Sequence, residues 1–311
     1  MAHTPELSVL IPTLHYPHVD QVVAQLLRQT VHQNRYEIIV SDSHKGEWKE
    51  CVLRAAERAD GAQVKYLQRE RGPLWRSRAL NAAIEAASGR IIVLLAGDFT
   101  PQVGFVEAHL AFHQSHPEPE AVAIGPNKFV EAQSTGSLIQ WLEESGQLFG
   151  FAAGEGDAGG FFYAGNASLK REFLERVGGF DEAIYYNAMD DFELGHRLRR
   201  AGMRSYHLPE ALTLHEHAHE ITLEDQCNSM RMLGESAVIF ERKHPEPQDW
   251  FATCRRSPLS LRLDGIFWRM RYVLTRQREY LHRYYLSMQG AAFVEGWRQG
   301  RSRGTHAGSH G

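Results

Sequence analysis

The chain has 311 residues, of which 43% are hydrophobic and 23% charged, and a formal net charge of −4. This length and apolar content allow a substantial core in one large domain with an appendage, and they exclude a disordered chain. No apolar run approaches the ~18 residues of a membrane span and the first residues lack a signal-sequence pattern, so a cytoplasmic protein is expected.

Short apolar runs and helical patterns alternate along residues 1–100. Strands are predicted at Leu7–Thr13, Tyr36–Asp42, 64–67 and Ile91–Leu95, and helices at 19–27, 52–59 and 78–87. This alternation predicts an α/β fold, with a mostly parallel sheet flanked by helices on both faces. Because ligands bind outside the carboxyl ends of the strands in such sheets, Thr13, Asp42 and Asp98 lie where a ligand site is expected.

Two adjacent carboxylates, Asp190 and Asp191, open a predicted helix whose Leu194 and Leu198 share one apolar face. Acidic residues are common in a first helical turn because they complement the helix dipole. A carboxylate at this position can equally accept a proton from a substrate. The pair alone does not decide between these interpretations.

The chain from Arg255 onward differs in charge from the rest. It contains eleven Arg, no Lys and three acids, so it carries +8 while residues 1–254 carry −12. Apolar residues at helical spacing predict amphipathic helices, and the sequence from Arg301 is typical of a disordered tail. Residues 255–300 either contact anionic lipid peripherally, at the inner face of the membrane, or pack on the preceding domain or on a second subunit of a homo-oligomer.

Six motifs resemble, in order and spacing, the inverting glycosyltransferases of family two, which have a GT-A fold. They lie at 8–13, 37–42, 79–89, 94–98, 165–181 and 190–198. The resemblance implies a GT-A catalytic domain at 1–224, with a nucleotide-sugar-binding half at 1–100 and an acceptor-binding half at 101–224. A helical extension at 225–300 and a disordered tail at 301–311 are expected to follow.

The resemblance also implies a metal site. In the family, a strand like Ile91–Leu95 ends in an Asp-x-Asp triplet whose last carboxylate ligates Mg²⁺ or Mn²⁺ on the donor diphosphate. The triplet here is Ala96-Gly97-Asp98, so Asp98 is the implied ligand and Ala96 replaces the first Asp. His215 is the implied second ligand, and carboxylate with imidazole suits either ion. Alternatively, Asp98 simply caps the turn before Pro101.

Donor contacts follow from the same resemblance. The residues it implies are Pro12, Thr13, Asp42, Arg76, Asn81, Gly97, Asp98, Gly165 and Asn166. Asp42 would accept a hydrogen bond from the base or the ribose, although a turn cap is the simpler interpretation. Arg76 stands where the family commonly has Lys, and its guanidinium could hold a phosphate in bidentate fashion.

The second member of the family's acidic pair is the general base that deprotonates the acceptor hydroxyl, and this role falls on Asp191. One direct displacement then inverts the anomeric centre. Asp190 would orient Asp191 or bind acceptor hydroxyls, and Glu193 is expected only to decorate the helix. The partners implied are a UDP- or GDP-linked sugar and a glycan or lipid-linked acceptor, with no nucleic acid.

Two other functions remain open from the sequence. Ala96 is compatible with a sugar-nucleotide-binding protein that has no turnover. The three histidines His215, His217 and His219 are compatible with a zinc-dependent hydrolase, although the His-Glu-x-x-His spacing of that class is absent.

Overall fold

The computed structural model describes residues 4–13, 18–43, 46, 48–57, 59, 61, 63–68, 75–130, 137–144, 156–160, 162–184, 189–215, 222–246 and 251–306. The chain divides into two compact units. The first consists of Met1–Thr135, Leu142–Tyr185 and Asp190–Ala218, and the second of Gly136–Trp141, Tyr186–Met189 and His219–Gly311.

Strands and helices alternate through the first unit as the sequence predicts. The strands are β1 Leu7–Thr13, β2 Tyr36–Asp42, β3 Gln63–Gln68, β4 Ile91–Leu95, β5 Thr100–Pro101, β6 Ala121–Ile124, β7 Asn127–Phe129, β8 Gly156–Asp157, β9 Asn166–Lys170, β10 Arg204–His207 and β11 Thr213–His215. The helices up to residue 200 are α1 Val19–Leu26, α2 Lys49–Ala56, α3 Trp75–Ala86, α4 Phe105–Ser115, α5 Ser137–Glu144, α6 Arg171–Val177 and α7 Met189–Arg200.

The main sheet has the strand order β3-β2-β1-β4-β9-β6-β10-β8 in the described part of the chain. Its first four strands are parallel, β9 runs antiparallel to β4 and β6, and β8 runs antiparallel to β10. A smaller sheet has the order β5-β11-β7. The mostly parallel α/β sheet predicted from the sequence is therefore confirmed.

Both faces of the main sheet are covered. Val9 and Ile38 face one apolar cluster, whereas their neighbours Leu10 and Ile39 face the other, and all four are fully buried. This two-sided burial explains why residues 9–11 of β1, 38–40 of β2 and the whole of β4 are continuous apolar runs rather than alternating ones. Each such side chain contributes about 1.5–3 kcal/mol on burial.

The second unit contains the C-terminal helices. They are α8 Leu223–Lys243, α9 Phe251–Cys254, α10 Pro258–Thr275 and α11 Arg278–His306. Helices α8 and α11 approach closely, since a Cβ on Gly234 would lie 2.1 Å from the carbonyl oxygen of Phe293. None of the described helices has the length and hydropathy of a membrane-crossing segment.

The prediction of a disordered tail at 301–311 needs correction. Helix α11 continues to His306, so residues 301–306 extend the helix that packs on α8, and residues 307–311 lie outside the described residues.

One buried carboxylate ties the amino-terminal strands together. Glu37 on β2 is fully buried, accepts a hydrogen bond from Ser8 Oγ at 2.7 Å, and lies 2.7 Å from Lys65 Nζ. It also accepts hydrogen bonds from the backbone amides of Ser88 and Gly89, in the turn before β4. Burial opposes ionisation, but Lys65, Ser8 and the Ser88 amide outweigh it and lower the pKa of Glu37.

Replacing this carboxylate tests its contribution to stability. We expect Glu37→Gln to reduce the free energy of unfolding by about 2 kcal/mol in urea denaturation near neutral pH. Because folding lowers the pKa of Glu37, its contribution is present above the unfolded pKa of about 4.3 and is lost as the pH falls through the folded value. The deficit should therefore shrink in acid. The exposed Glu85→Gln on α3 is the control, and an equal loss in both variants would contradict the assignment.

Candidate functional site

Helix α7 presents the two adjacent carboxylates in its first turn. Leu194 and Leu198 are fully buried in the apolar cluster on one face of the sheet, and they fix the helix against it. Asp190 and Asp191 are consequently carried into the protein and are only 1% and 5% exposed. The predicted helix is confirmed, and burial to this degree is not expected of acids that merely complement a helix dipole on the surface.

Arg76, in the first turn of α3, bridges both carboxylates. Its Nη1 contacts Asp190 Oδ2 and lies 3.0 Å from Asp191 Oδ1. The side chain of Arg76 is 14% exposed. One cation and two anions thus share a nearly buried site, where water screens their charges poorly.

The charges of this cluster act on Asp190. Burial raises the pKa of Asp190, Arg76 opposes that rise, and the neighbouring Asp191 carboxylate adds to it. Asp190 Oδ1 also accepts a hydrogen bond from the backbone amide of Asp191 at 3.0 Å. Within the described residues, only Arg76 bonds the Asp191 carboxylate, through Oδ1. Asp190 is therefore held by structural contacts on both oxygens, and Asp191 on one.

The resemblance predicts that Arg76 binds a donor phosphate, and this role stays a prediction. In the structure the guanidinium contacts the two carboxylates, because two buried anions attract a cation. Sequence reasoning missed this contact, since residues 76 and 190 are 114 positions apart.

Asn81, a predicted donor contact, bonds the backbone of Phe180 in the structure. Its Nδ2 donates to the carbonyl oxygen of Phe180 at 2.9 Å, and its Oδ1 accepts from the Phe180 amide at 2.9 Å. A side chain with both ends bonded to the backbone of one residue holds the segment that leads toward α7, and the role in donor binding stays a prediction. Gly179, the residue before Phe180, has φ +68°, and a Cβ on it would lie 2.9 Å from Asn81 Oδ1, so only glycine fits there.

Glu193 was expected only to decorate α7, and this is wrong. It is 2% exposed and accepts a hydrogen bond from Arg197 Nε at 2.7 Å, with a second from Nη2. Arg197 in turn donates to the carbonyl oxygens of Val177 and Gly179. The i,i+4 spacing of Glu193 and Arg197 was the available sequence signal.

The structure brings together Asp98 and His215, the two predicted metal ligands. Asp98 follows β4 and His215 ends β11, and Asp98 Oδ2 lies 3.0 Å from His215 Nε2. The rings of Phe99 and Phe129 meet the imidazole edge to face, with centroids at 5.3 and 5.1 Å. The side chains of Asp98 and His215 are 22% and 12% exposed, so a ligand can still reach them.

This spacing fits a divalent ion. Two oxygen or nitrogen ligands at about 2.1 Å from an octahedral ion lie about 3 Å apart when they are neighbours. The amide of Ala96, at the start of the triplet, donates to the Gly165 carbonyl at 2.9 Å. His217 and His219 lie outside the described residues.

Strands β1 and β2 end side by side, with Thr13 in register with Asp42 and Pro12 with Ser41. Asp42 is fully buried, and its Oδ2 accepts from the Tyr66 hydroxyl and from the Gly46 amide at 3.1 Å. The carboxylate is thereby fixed at the carboxyl edge of the sheet, where the sequence predicted it.

The predicted donor-binding residues at the start of β9 are packed against neighbouring parts of the first unit. Asn166 is fully buried and donates to the carbonyl oxygens of Ala211, at 2.8 Å, and Pro126, so its amide joins neighbouring loops. A Cβ on Gly165 would lie 2.2 Å from the Tyr163 ring. Gly97 is buried in the turn before Asp98.

A family model described as "Glycosyltransferase like family 2" matches residues 5–230, which is more than half of the chain. The validoxylamine A glucosyltransferase of Streptomyces hygroscopicus subsp. limoneus is 27% identical over 283 residues, covering 82% of this chain and 61% of that protein. The hyaluronan synthase of Pasteurella multocida is 26% identical over 227 residues, covering 63% of this chain and 23% of that protein. The chain thus spans about three fifths of the length of the first of these relatives.

Solved structures resemble the fold. The mannosyltransferase PcManGT from Pyrobaculum calidifontis, in complex with GDP-Man and Mn²⁺, has a TM-score of 0.59 at 16% identity, covering 95% of this chain and 88% of that chain. TarS 1-349 from S. aureus, in complex with UDP, has a TM-score of 0.54 at 13% identity, covering 96% and 92%. At these identities the likeness shows the fold, and it confirms the GT-A-type architecture predicted from the sequence.

Removing the cation from the acidic cluster tests its electrostatics. We expect Arg76→Met to reduce the free energy of unfolding by about 3–5 kcal/mol near pH 8, because two buried carboxylates lose their counter-charge. Since the fold raises the pKa of Asp190, the folded protein holds this proton at a higher pH than the unfolded chain does, and the deficit should shrink as the pH falls toward about 5.

Arg78→Met is the matched control, because Arg78 is 54% exposed and lies 3.4 Å from the exposed Glu182. Its loss should stay below about 1 kcal/mol. Urea denaturation of both variants at the two pH values provides the comparison. A deficit in Arg76→Met that grows in acid would contradict the proposed charge balance.

Proposed function

We propose that this chain, which belongs to glycosyltransferase family 2, transfers a sugar from a nucleotide-diphosphate donor to an acceptor hydroxyl with inversion at the anomeric carbon. The observation that carries the proposal is the buried cluster of Asp190 and Asp191 on Arg76, in the same unit as the Asp98–His215 pair. Such a site needs a proton acceptor for the attacking hydroxyl and positive charge for the leaving diphosphate. Asp191 can accept the proton, and Asp98 with His215 would hold the divalent ion that supplies the positive charge.

Asp191 is the proposed general base. Arg76 orients its carboxylate through Oδ1, which leaves the other oxygen to accept the acceptor's proton. With one cation and two anions the cluster has an excess negative charge, so proton uptake neutralises it. A displacement from the face opposite the diphosphate inverts the sugar carbon. Asp190 and Arg76 act here as positioning residues.

Asp98 and His215 are the residues that would hold Mn²⁺ or Mg²⁺. A divalent ion held there would neutralise the negative charge that develops on the oxygens of the leaving diphosphate. The spacing of the two ligand atoms supports this assignment, as do the Mn²⁺ and GDP-Man in the structure of PcManGT. Asp42, at the carboxyl edge of the sheet, is the proposed contact to the base or ribose of a UDP- or GDP-linked sugar, and the acceptor is a glycan or a lipid-linked saccharide.

A protein that binds a sugar nucleotide without turnover is the second candidate, and Ala96 is the observation that favours it. Release of nucleoside diphosphate from a nucleotide sugar by the purified protein would dismiss it. A screen of nucleotide sugars with Mn²⁺, in which a bound donor raises the melting temperature, identifies the donor for that assay.

Replacing the base should separate chemistry from donor binding. We expect Asp191→Asn to lower donor turnover about 10²- to 10⁴-fold, because the amide cannot accept the proton, while donor affinity changes only about two- to threefold. Turnover is followed as release of nucleoside diphosphate, and affinity by calorimetry. Asp264→Asn, on α10, is the control for an aspartate-to-asparagine change. A variant that keeps a tenth or more of wild-type turnover would refute the role of Asp191.

The metal assignment is tested by nucleotide binding at increasing Mn²⁺. Asp98→Ala should abolish the metal-dependent part of UDP or GDP affinity, and His215→Ala should weaken it about 10- to 100-fold, because each removes a ligand atom. Asp20→Ala, at the start of α1, should leave the titration unchanged. Curves for Asp98→Ala that coincide with wild type would exclude it as a ligand.

A further inference from the structure

Helix α10 exposes an apolar stripe that nothing in the described chain covers. Six large side chains on it are between 53% and 80% exposed, and together they define the α10 outer face: Leu259, Leu263, Ile266, Met270, Val273 and Leu274. At 3.6 residues per turn these positions fall within about a third of the helix circumference. Contiguous exposed apolar surface of this kind marks an interaction site in most proteins.

The sequence of α10 explains where the helix begins and which side of it packs. Ser257 caps its first turn by accepting the Ser260 amide at 3.0 Å, and Pro258 takes the first helical position. On the side opposite the outer face, Leu261 and Gly265 are buried, and a Cβ on Gly265 would meet Met288 of α11 at 3.1 Å. The helix therefore already uses one apolar side for packing, and the outer face is a second one.

Positive charge surrounds this face. Residues 255–283 contain eight Arg, no Lys and two acids, a net charge of +6. On the helical wheel, Arg269 flanks the apolar stripe on one side and Arg271 on the other, while Arg262, next to Arg269, is paired with Glu295 of α11 at 2.5 Å. Aromatic rings hold this arginine rim in place, with the guanidinium carbon of Arg271 4.7 Å from the Tyr280 ring centroid and that of Arg269 5.2 Å from the Tyr284 ring centroid.

We propose that the α10 outer face binds the surface of an anionic phospholipid bilayer. An apolar stripe flanked by arginines lets the stripe enter the acyl boundary while the guanidinium groups reach lipid phosphates. In the proposed contact, α10 lies in the plane of the bilayer interface. A second copy of the chain fits the face less well, because a two-fold contact would bring the arginine rims of both copies together. The proposal stands independently of the sugar-transfer chemistry.

Cosedimentation of the full chain with vesicles tests the proposal. We expect binding to vesicles of phosphatidylcholine with about 30% phosphatidylglycerol at about 50 mM salt, weaker binding at about 500 mM salt, and little binding to phosphatidylcholine alone. Leu263→Gln with Leu274→Gln, both at exposed positions, should reduce vesicle binding at least about tenfold. Val103→Gln with Met232→Gln, exposed apolar residues outside α10, is the matched control and should bind as wild type does.

Three outcomes would overturn the proposal. The first is that the wild-type protein does not bind the anionic vesicles at low salt. The second is that the control double variant loses as much vesicle binding as the α10 double variant does. The third is that the α10 double variant binds the vesicles as well as the wild type does. A fourth outcome is measured by sedimentation equilibrium without lipid. If the wild-type protein is a dimer and the α10 double variant is a monomer, a second copy of the chain occupies the face and the proposal is overturned. Melting curves establish that both double variants are folded, and donor affinity measured in parallel reports on the sugar-transfer site separately.

Discussion

The site depends on one buried cation shared by two buried carboxylates. Arg76 on α3 meets Asp190 and Asp191 on α7, and removing any one of the three would leave charge stranded where water cannot solvate it. The interaction joins the amino-terminal and later halves of the first unit. It also fixes the direction of the Asp191 carboxylate, which is what a general base requires.

Two further contacts hold the segment that precedes this cluster. Asn81, on α3, bonds the backbone amide and the carbonyl oxygen of Phe180. Arg197, which is paired with Glu193, donates to the carbonyl oxygens of Val177 and Gly179, at and just after the end of α6. Both arise from the same helices that carry Arg76 and the acids. Helices α3 and α7 are thus positioned by hydrogen bonds that are nearly buried, as well as by the apolar cluster beneath them.

The metal pair has a different construction. Asp98 lies in the turn between β4 of the main sheet and β5 of the small sheet, and His215 ends β11 of the small sheet. Because β5 pairs with β11, this pairing brings the turn close to His215, and the two side chains are 3.0 Å apart. Ala96 stands where an Asp-x-Asp triplet would have its first Asp, so the triplet of this chain contributes one carboxylate to the pair.

The sequence by itself determined the alternation of strands and helices, the helix of Asp190, and the placement of Thr13, Asp42 and Asp98 at strand ends. These follow from local periodicity and from the rule that parallel strands share a carboxyl edge. Only the tertiary structure decided the roles of Arg76, Asn81, Asn166 and Glu193. Their contacts are set by burial and by partners that, for the first three, lie 40 to 115 residues away. No local pattern encodes which distant carboxylate or backbone group a polar side chain will meet.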